Sequence, residues 1–264
     1  MSLVGVVQGR LSKSPKNRLQ FFPKKNWKNE FNKAKKIGFD FIEFFSERKF
    51  NENNPIWDIK KIKEYIKLSK ENNLKILNFC DDYIISHSIN KKTTQKYIKK
   101  LIKNLKALKV KNFILPLYGK SLLHDNNYLD FIPTFKILLT FEDKLNFFIE
   151  SNISPEKFLF LKKRIKSNRF KFLFDTGNRI NLKRDLYKDM EILFKDIGHI
   201  HIKDKNNKNQ NVKLGTGLVD FKRVFFILKK RKYNKNFTFE TTRGRNPIKM
   251  AKFNLLFINK LFKF

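Results

Sequence analysis

The chain repeats one pattern from end to end: a short apolar run of β type is followed by a longer stretch with helical periodicity. Strand candidates lie at residues 3–8, 39–45, 74–79, 112–117, 145–149, 170–174, 199–202 and 237–239. Strands that alternate with helices favour a parallel sheet covered by helices. Eight such units in 264 residues predict an α/β fold, a single (β/α)8 TIM barrel that forms one domain over residues 1–264.

Local signals support this reading. Apolar residues at positions 98, 101, 102, 105 and 108 form a helical stripe, and Gly38 is a helix stop. Ser154 and Pro155 predict an N-cap and a first helical residue for a helix through Ile165. An open doubly wound sheet is the alternative fold, but no glycine-rich GxGxxG loop follows the first strand.

The most unusual feature of the composition is a formal net charge of +35 at pH 7. Nucleic-acid binding is its obvious interpretation, because lysine and arginine neutralise phosphates. However, lysine dominates, lies mainly on the polar faces of predicted helices, and occurs with the other residues of A/T-rich codons along the whole chain. We therefore expect compositional drift and no specific nucleic-acid partner.

Other composition features point to a soluble protein. No apolar run approaches the roughly 18–20 residues of a membrane span, so we expect no membrane partner. Residues 1–4 lack a basic region before a long apolar stretch, so we expect no signal peptide. Cys80 is the single cysteine, which excludes an internal disulfide. A cytoplasmic location is the expectation, and assembly into a homo-oligomer stays open.

Polar residues follow four successive strands where a barrel carries its chemistry. Catalytic groups of such barrels lie at the C-terminal ends of the strands. The fifth to eighth strand candidates end at Glu150, Asp175, His201 and Glu240. Three carboxylates and one imidazole suit Mn²⁺, Mg²⁺, Co²⁺ or Zn²⁺, so we predict one divalent metal ion. His199 lies deeper in its strand, and we expect a packed structural role for it.

Four segments carry a family resemblance: VQGRLS at 7–12, FDTGN at 174–178, HIHIKD at 199–204 and LGTG at 214–217. In this order and spacing they resemble the xylose isomerase-like TIM barrel superfamily, and most of all its bacterial sugar phosphate isomerase/epimerase branch, which is related to AP endonuclease family 2. The resemblance extends from the first strand to Arg245.

The resemblance implies specific roles. A metal is bound by carboxylate, carboxylate, histidine and carboxylate, which corresponds to Glu150, Asp175, His201 and Glu240. In related ketose epimerases the first and last glutamates also move protons, which makes Glu150 and Glu240 the catalytic residues here. The implied function is a metal-dependent isomerase or epimerase that acts on a sugar or sugar phosphate through an enediolate.

Three alternatives stay open. A dehydratase of a keto-polyol would use the same site and the same first step. An abasic-site endonuclease belongs to the same superfamily, but it needs a three-metal cluster rich in histidine, and this chain has only four histidines. In those enzymes a histidine follows the aspartate that corresponds to Asp175 by three residues, whereas this chain has Asn178 there. A barrel that binds a sugar or a partner without turnover would not depend on metal.

Substrate-binding candidates surround the same rim. Arg10 and Arg243 follow the first and last strands, which are neighbours in a closed barrel, so the two arginines are predicted to clamp an anionic substrate group. Lys203 would flank this clamp. Glu43, which ends the second strand, is predicted to bind sugar hydroxyls or to pair with Arg10.

Overall fold

The strands of the computed structural model, which describes residues 2–15 and 18–262, close into a parallel barrel. The strands are β1 Val4–Val7, β2 Phe41–Ser46, β3 Asn78–Asp81, β4 Asn112–Pro116, β5 Asn146–Glu150, β6 Phe170–Asp175, β7 Ile197–Ile202, β8 Asp204–Lys205, β9 Asn211–Val212 and β10 Phe237–Phe239. The order around the barrel is β1-β10-β7-β6-β5-β4-β3-β2, and β8 and β9 form a separate antiparallel hairpin. The predicted (β/α)8 TIM barrel is confirmed.

Helices separate the eight strands of the barrel and pack outside them. They are α1 Asn29–Ile37, α2 Ile59–Glu71, α3 Tyr83–Ser86, α4 Lys92–Leu108, α5 Ile132–Leu139, α6 Pro155–Ile165, α7 Thr176–Ile180, α8 Leu186–Leu193, α9 Phe221–Lys230 and α10 Pro247–Leu261. The predicted apolar stripe of α4 is buried against the barrel. No helix in the described ranges is long and apolar enough to cross a membrane.

Two helix boundaries show how the sequence sets the ends. Gly38 ends α1 in the left-handed region at φ 103°, as predicted for a glycine stop. Ser154 does occupy the N-cap position of α6, but its side chain makes no capping hydrogen bond. Its backbone N–H donates to Asp125 Oδ1 at 2.7 Å. The predicted helix, with Ser154 at the N-cap, Pro155 as its first residue and Ile165 as its last, is confirmed.

Most strand bounds differ from the predicted ones by a few residues, and two of these differences have a clear physical cause. The third strand begins at Asn78 instead of residue 74, because pairing with β2 is interrupted after an isolated bridge between Phe41 and Lys75. The seventh strand begins at Ile197, and its pairing with β6 skips Gly198 at a bulge. A Cβ atom at Gly198 would lie 2.5 Å from the ring of Phe148, so this position requires glycine.

Candidate active site

The four predicted metal ligands meet at one place on the C-terminal rim. Glu150 and Asp175 are the last residues of β5 and β6, His201 lies near the end of β7, and Glu240 follows β10 directly. These strands are consecutive neighbours in the barrel, in the order β10-β7-β6-β5. All four side chains are buried, with at most 7% of each residue exposed.

His201 lies at the centre of this group. Its Nδ1 atom lies 3.4 Å from Glu240 Oε2, 3.8 Å from Asp175 Oδ2 and 4.0 Å from Glu150 Oε2. One ligand atom each from Asp175, His201 and Glu240 falls within 4.8 Å of the others, whereas Glu150 lies at the edge of this compact trio. The geometry therefore distinguishes three closely spaced donors from a fourth carboxylate beside them.

Glu43 supports His201 from inside the barrel. Its Oε1 lies 2.9 Å from His201 Nε2, and its Oε2 accepts hydrogen bonds from Asn78 Nδ2 and Thr238 Oγ1, both at 2.9 Å. His199 Nε2 contacts Thr238 Oγ1 at 2.7 Å and Asn78 Nδ2 at 3.1 Å. This network orients the His201 ring, so that Nε2 faces Glu43 and Nδ1 faces the three other carboxylates on the rim. Although Glu43 borders the cavity, its oxygens contact protein groups, and a role in sugar binding stays a prediction.

Two residues that the sequence did not single out as functional hold Glu150. Its Oε1 accepts a hydrogen bond from Asn178 Nδ2 at 2.6 Å and another from Tyr118 OH at 3.2 Å. Tyr118 follows β4 closely, so the same strand-end rule points to it. Gln20, in the loop after β1, donates from Nε2 to Glu240 Oε1 at 3.1 Å, and no sequence signal predicted this contact.

The two glutamates have opposite electrostatic environments. Burial, and then the charge of Asp175, raise the pKa of Glu150 to about 7, although Lys203 opposes this shift. Burial alone would also raise the pKa of Glu240, but Lys203, His201 and Arg10 outweigh it and hold that pKa well below its usual range. One glutamate therefore titrates near neutral pH and the other stays ionised.

Lys203 contacts two of the predicted metal ligands. Its Nζ atom lies 2.9 Å from Asp175 Oδ2 and 2.5 Å from Glu240 Oε2, and the residue is 3% exposed. Lys203 thus lies between two predicted metal ligands and also borders the cavity, and its binding of substrate stays a prediction.

Arg10 and Arg243 lie in different surroundings. Arg10 is 3% exposed, and within the described ranges none of its three guanidinium nitrogens has a hydrogen-bond partner. Its nearest acid is Glu240, with Nη2 3.6 Å from Oε1. Arg243 is committed to the loop after β1: Nε donates to Gly9 O at 2.7 Å, and Nη1 donates to the carbonyls of residues 18 and 19 at 2.7 and 2.8 Å. Arg243 therefore positions that loop, and its binding of substrate stays a prediction.

A cavity of about 380 Å³ opens above the cluster. Glu150, His201, Lys203 and Glu240 line its floor, together with Glu43. Other lining residues include Gln20, Arg48, Asp82, Tyr118, Asn152, Asn178, Asn181, Lys205 and Asn209. Carboxylates, amides and cations in one small cavity suit a polar ligand with several hydroxyl groups.

No residue of the LGTG segment borders the cavity. Asp204 accepts hydrogen bonds from the backbone N–H groups of Gly215, Gly217 and Val219 at 2.9–3.1 Å. A Cβ atom at Gly217 would lie 2.3 Å from Asp204 Oδ1, so the glycine permits this anchor. The cavity is bordered instead by Lys205 and by Asn209, which lies in the turn between β8 and β9.

The donor set fits a divalent cation. Within residues 2–15 and 18–262, no hydrogen bond satisfies the buried atom His201 Nδ1, and Asp175 Oδ2 has only its ion pair with Lys203. Both atoms face the same cluster as the oxygens of Glu240 and Glu150. A second trio, Glu43, His199 and His201, is also close enough for a metal, but Asn78 and Thr238 already hydrogen-bond within it.

A family model described as the xylose isomerase-like TIM barrel matches residues 31–261. The chain belongs to this family. The match covers most of the chain, including the strand ends that carry Glu150, Asp175, His201 and Glu240. A search of curated proteins found no match to this sequence.

Solved structures share the fold over nearly the whole chain. A D-psicose 3-epimerase from Clostridium cellulolyticum H10, solved with D-tagatose, is 14% identical with a TM-score of 0.77, and the alignment covers 98% of this chain and 99% of that one. A 3-keto-D-glucoside 4-epimerase from E. coli is 16% identical, with a TM-score of 0.73 and coverage of 98% and 100%. The IOLI protein, solved with a bound zinc atom, is 12% identical, with a TM-score of 0.73 and coverage of 99% and 100%.

Proposed function

We propose that the protein is a metal-dependent isomerase or epimerase of a keto-sugar or a sugar phosphate. The observation that carries this proposal is the meeting of Glu150, Asp175, His201 and Glu240 beneath one polar cavity. The likeness to sugar epimerases supports the same reaction class. Asp175, His201 and Glu240 would hold the ion, with Glu150 beside them as the fourth ligand. Mn²⁺, Mg²⁺, Co²⁺ and Zn²⁺ all suit these donors.

When bound, the ion would stabilise negative charge that develops on a substrate oxygen. The chemistry of the chain itself is proton transfer by the two glutamates. One of them, as the carboxylate, takes the proton from the carbon next to the carbonyl and leaves the substrate as an enediolate. The other, as the neutral acid, returns a proton. Return to the opposite face of the same carbon inverts it, and return to the neighbouring carbon completes an isomerisation.

The surroundings of the glutamates suit this division of labour. The hydrogen bonds from Asn178 and Tyr118 hold Oε1 of Glu150, so its other oxygen faces the cluster. Glu240 approaches His201 from the opposite end of the four-strand arc. A sugar carbon above His201 would have a carboxyl group on each side.

Arg10 is our proposed contact for an anionic end of the substrate. A buried guanidinium with no hydrogen-bond partner is costly unless a ligand or solvent satisfies it. Arg10 lies beside Glu240 but is not among the residues that border the cavity, so it would act next to the cavity wall. We therefore include phosphorylated and neutral sugars as separate arms of the functional test.

The test is proton exchange in heavy water. Metal-stripped protein is reloaded with Mn²⁺, Mg²⁺, Co²⁺ or Zn²⁺ and incubated with a panel of ketoses and ketose phosphates. NMR and mass spectrometry then follow deuterium at the carbon next to the carbonyl. We expect metal-dependent deuterium incorporation with formation of an epimer or an aldose. Products that have lost a hydroxyl group would indicate the dehydratase instead, and a panel without any metal-dependent exchange would refute the proposal.

A further inference from the structure

Lys203 lies where the proposed metal ligands converge. Its ammonium contacts Asp175 Oδ2 at 2.9 Å and Glu240 Oε2 at 2.5 Å, and these same two oxygens lie 3.8 and 3.4 Å from His201 Nδ1. The side chain is 4% exposed, so water does not screen these contacts. The cation therefore contacts the two oxygens that belong to the compact metal-ligand trio.

The neighbouring motif builds this position for Lys203. Thr176 Oγ1 donates to Lys203 O at 2.6 Å and lies 3.0 Å from Lys203 N, which fixes the lysine backbone. Gly177 leaves room for the side chain, because a Cβ atom there would lie 2.7 Å from Lys203 Cγ and 2.9 Å from its Cβ. Three consecutive residues thus position this lysine: Asp175 pairs with its ammonium, Thr176 holds its backbone, and Gly177 leaves room for its side chain.

Lys205 provides the internal contrast. It borders the same cavity two residues later, but its Nζ atom donates to Asn209 Oδ1 at 2.9 Å, and no described acid forms an ion pair with it. The excess of lysine in the composition explains Lys205 without difficulty, whereas it does not explain the buried contacts of Lys203.

We propose that Lys203 is a built-in competitor of the divalent ion. This inference rests on the proposed function, because it takes Asp175 and Glu240 as metal ligands. An ammonium and a divalent cation repel each other strongly in a buried site, and both need the same two carboxylate oxygens. Lysine pairing therefore opposes metal binding. The lysine stabilises the carboxylate cluster by itself and lowers the affinity of the cluster for metal.

The test is Lys203→Met, which keeps the aliphatic stem and removes the charge. Mn²⁺ is titrated calorimetrically into metal-stripped, full-length protein, with Lys205→Met as the matched control. We expect Lys203→Met to bind Mn²⁺ about tenfold more tightly or better, because the competing cation is gone. Its metal-stripped form should melt at a lower temperature than the wild type. Lys205→Met should keep the wild-type affinity within about twofold. Equal or weaker binding by Lys203→Met overturns the proposal.

Gly177→Ala tests the same idea without removing the lysine, and it decides the matter if Lys203→Met does not fold. The added methyl group collides with the stem of Lys203 and displaces its ammonium from the carboxylates. We expect tighter Mn²⁺ binding here too, and unchanged or weaker binding counts against the competition. A wild-type protein that binds no divalent ion refutes the proposed metal-dependent function itself. Wild-type binding without tightening in the variants refutes only the role of Lys203.

Discussion

Charged side chains occur in two contrasting settings in this molecule, the outer helix surface and the carboxylate cluster on the rim. On the surface, exposed pairs such as Lys67 with Glu71 lie at 3.8 Å, and most cations have no acidic partner because 59 basic residues face 24 acidic ones. In the cluster, Glu43, Asp175 and Glu240 are buried against His201 and Lys203. The net charge of the chain therefore describes its surface, whereas the chemistry depends on a buried group with the opposite balance.

The largest expected effect comes from the two glutamates of the cluster. Glu150→Gln and Glu240→Gln remove a proton-transfer group and keep its shape. General acid–base catalysis is worth roughly 10²–10⁴-fold in rate, so kcat should fall by about that much in each variant. Deuterium incorporation into the substrate should fall in parallel. Glu191→Gln, on the exposed face of α8, is the matched control and should behave as wild type. Undiminished exchange in either cluster variant would remove that residue from the mechanism.

The second effect tests whether Glu43 acts through His201. Loss of a carboxylate that supports a metal-binding histidine typically lowers metal affinity by about 10–100-fold. We expect Glu43→Gln to weaken Mn²⁺ binding by this order, which is opposite in sign to Lys203→Met. Glu47→Gln, which changes a residue just after β2 that is bonded to Asn51 and Asn54, should leave the affinity unchanged. Normal metal affinity with a raised KM in Glu43→Gln would restore the sugar-binding role that the sequence suggested.

The sequence predicted the positions of the proposed ligands because of a general property of parallel barrels. All barrel strands end on one rim, so the polar residues at the C-terminal ends of β5, β6, β7 and β10 had to come together. The third strand was displaced because an apolar run does not reveal where strand pairing is interrupted. The bulge at Gly198 was missed for the same reason.

The contacts of the long side chains could not be predicted from strand ends. Arg10 and Arg243 follow neighbouring strands and are equivalent in sequence, yet Arg243 reaches backbone carbonyls of the loop after β1. Carbonyl acceptors leave no trace in the sequence. Lys203 likewise belongs to a chain with abundant lysine, and its ion pairs with Asp175 and Glu240 distinguish it from Lys205 only in the folded structure.

A third prediction concerns Asp81, a buried acid that has no described ion-pair partner. Burial raises the pKa of Asp81 to about 6, although Ser46 and Tyr97 hydrogen-bond to it. Because the folded pKa lies above the ordinary value of about 3.9, folding favours the neutral form. The stability that neutral Asp81 contributes to the folded state is fully present below about pH 4 and is lost as the pH rises through about 6.

Asp81→Asn stays neutral at every pH and keeps an acceptor for both hydroxyl groups. We expect it to raise the free energy of unfolding by about 1–3 kcal/mol at pH 8 and to have little effect near pH 4. Urea unfolding at the two pH values measures this difference. Asp130→Asn, at an exposed aspartate, should show no such pH dependence. If Asp81→Asn is destabilised equally at both pH values, the protonation of Asp81 does not control stability, and the prediction is wrong.

The smallest effect is expected on the surface itself. Lys96, Lys99 and Lys103 are exposed on α4, away from the cluster. Their joint replacement by glutamine should leave kcat within about twofold, because screened surface charges contribute little. If the excess charge is drift, the wild type should bind duplex DNA weakly and lose that binding steeply as salt rises. The triple variant should reduce the salt slope by about one for each lysine that contacts a phosphate.

The abasic-site endonuclease makes a different prediction on the same samples: metal-dependent nicking of an abasic duplex at physiological salt that Asp175→Ala abolishes. Nicking of that kind would mean that the surface charge and the buried cluster serve one function after all. Absence of nicking, with deuterium exchange into the sugar intact, would mean that the surface charge takes no part in the function of the buried cluster.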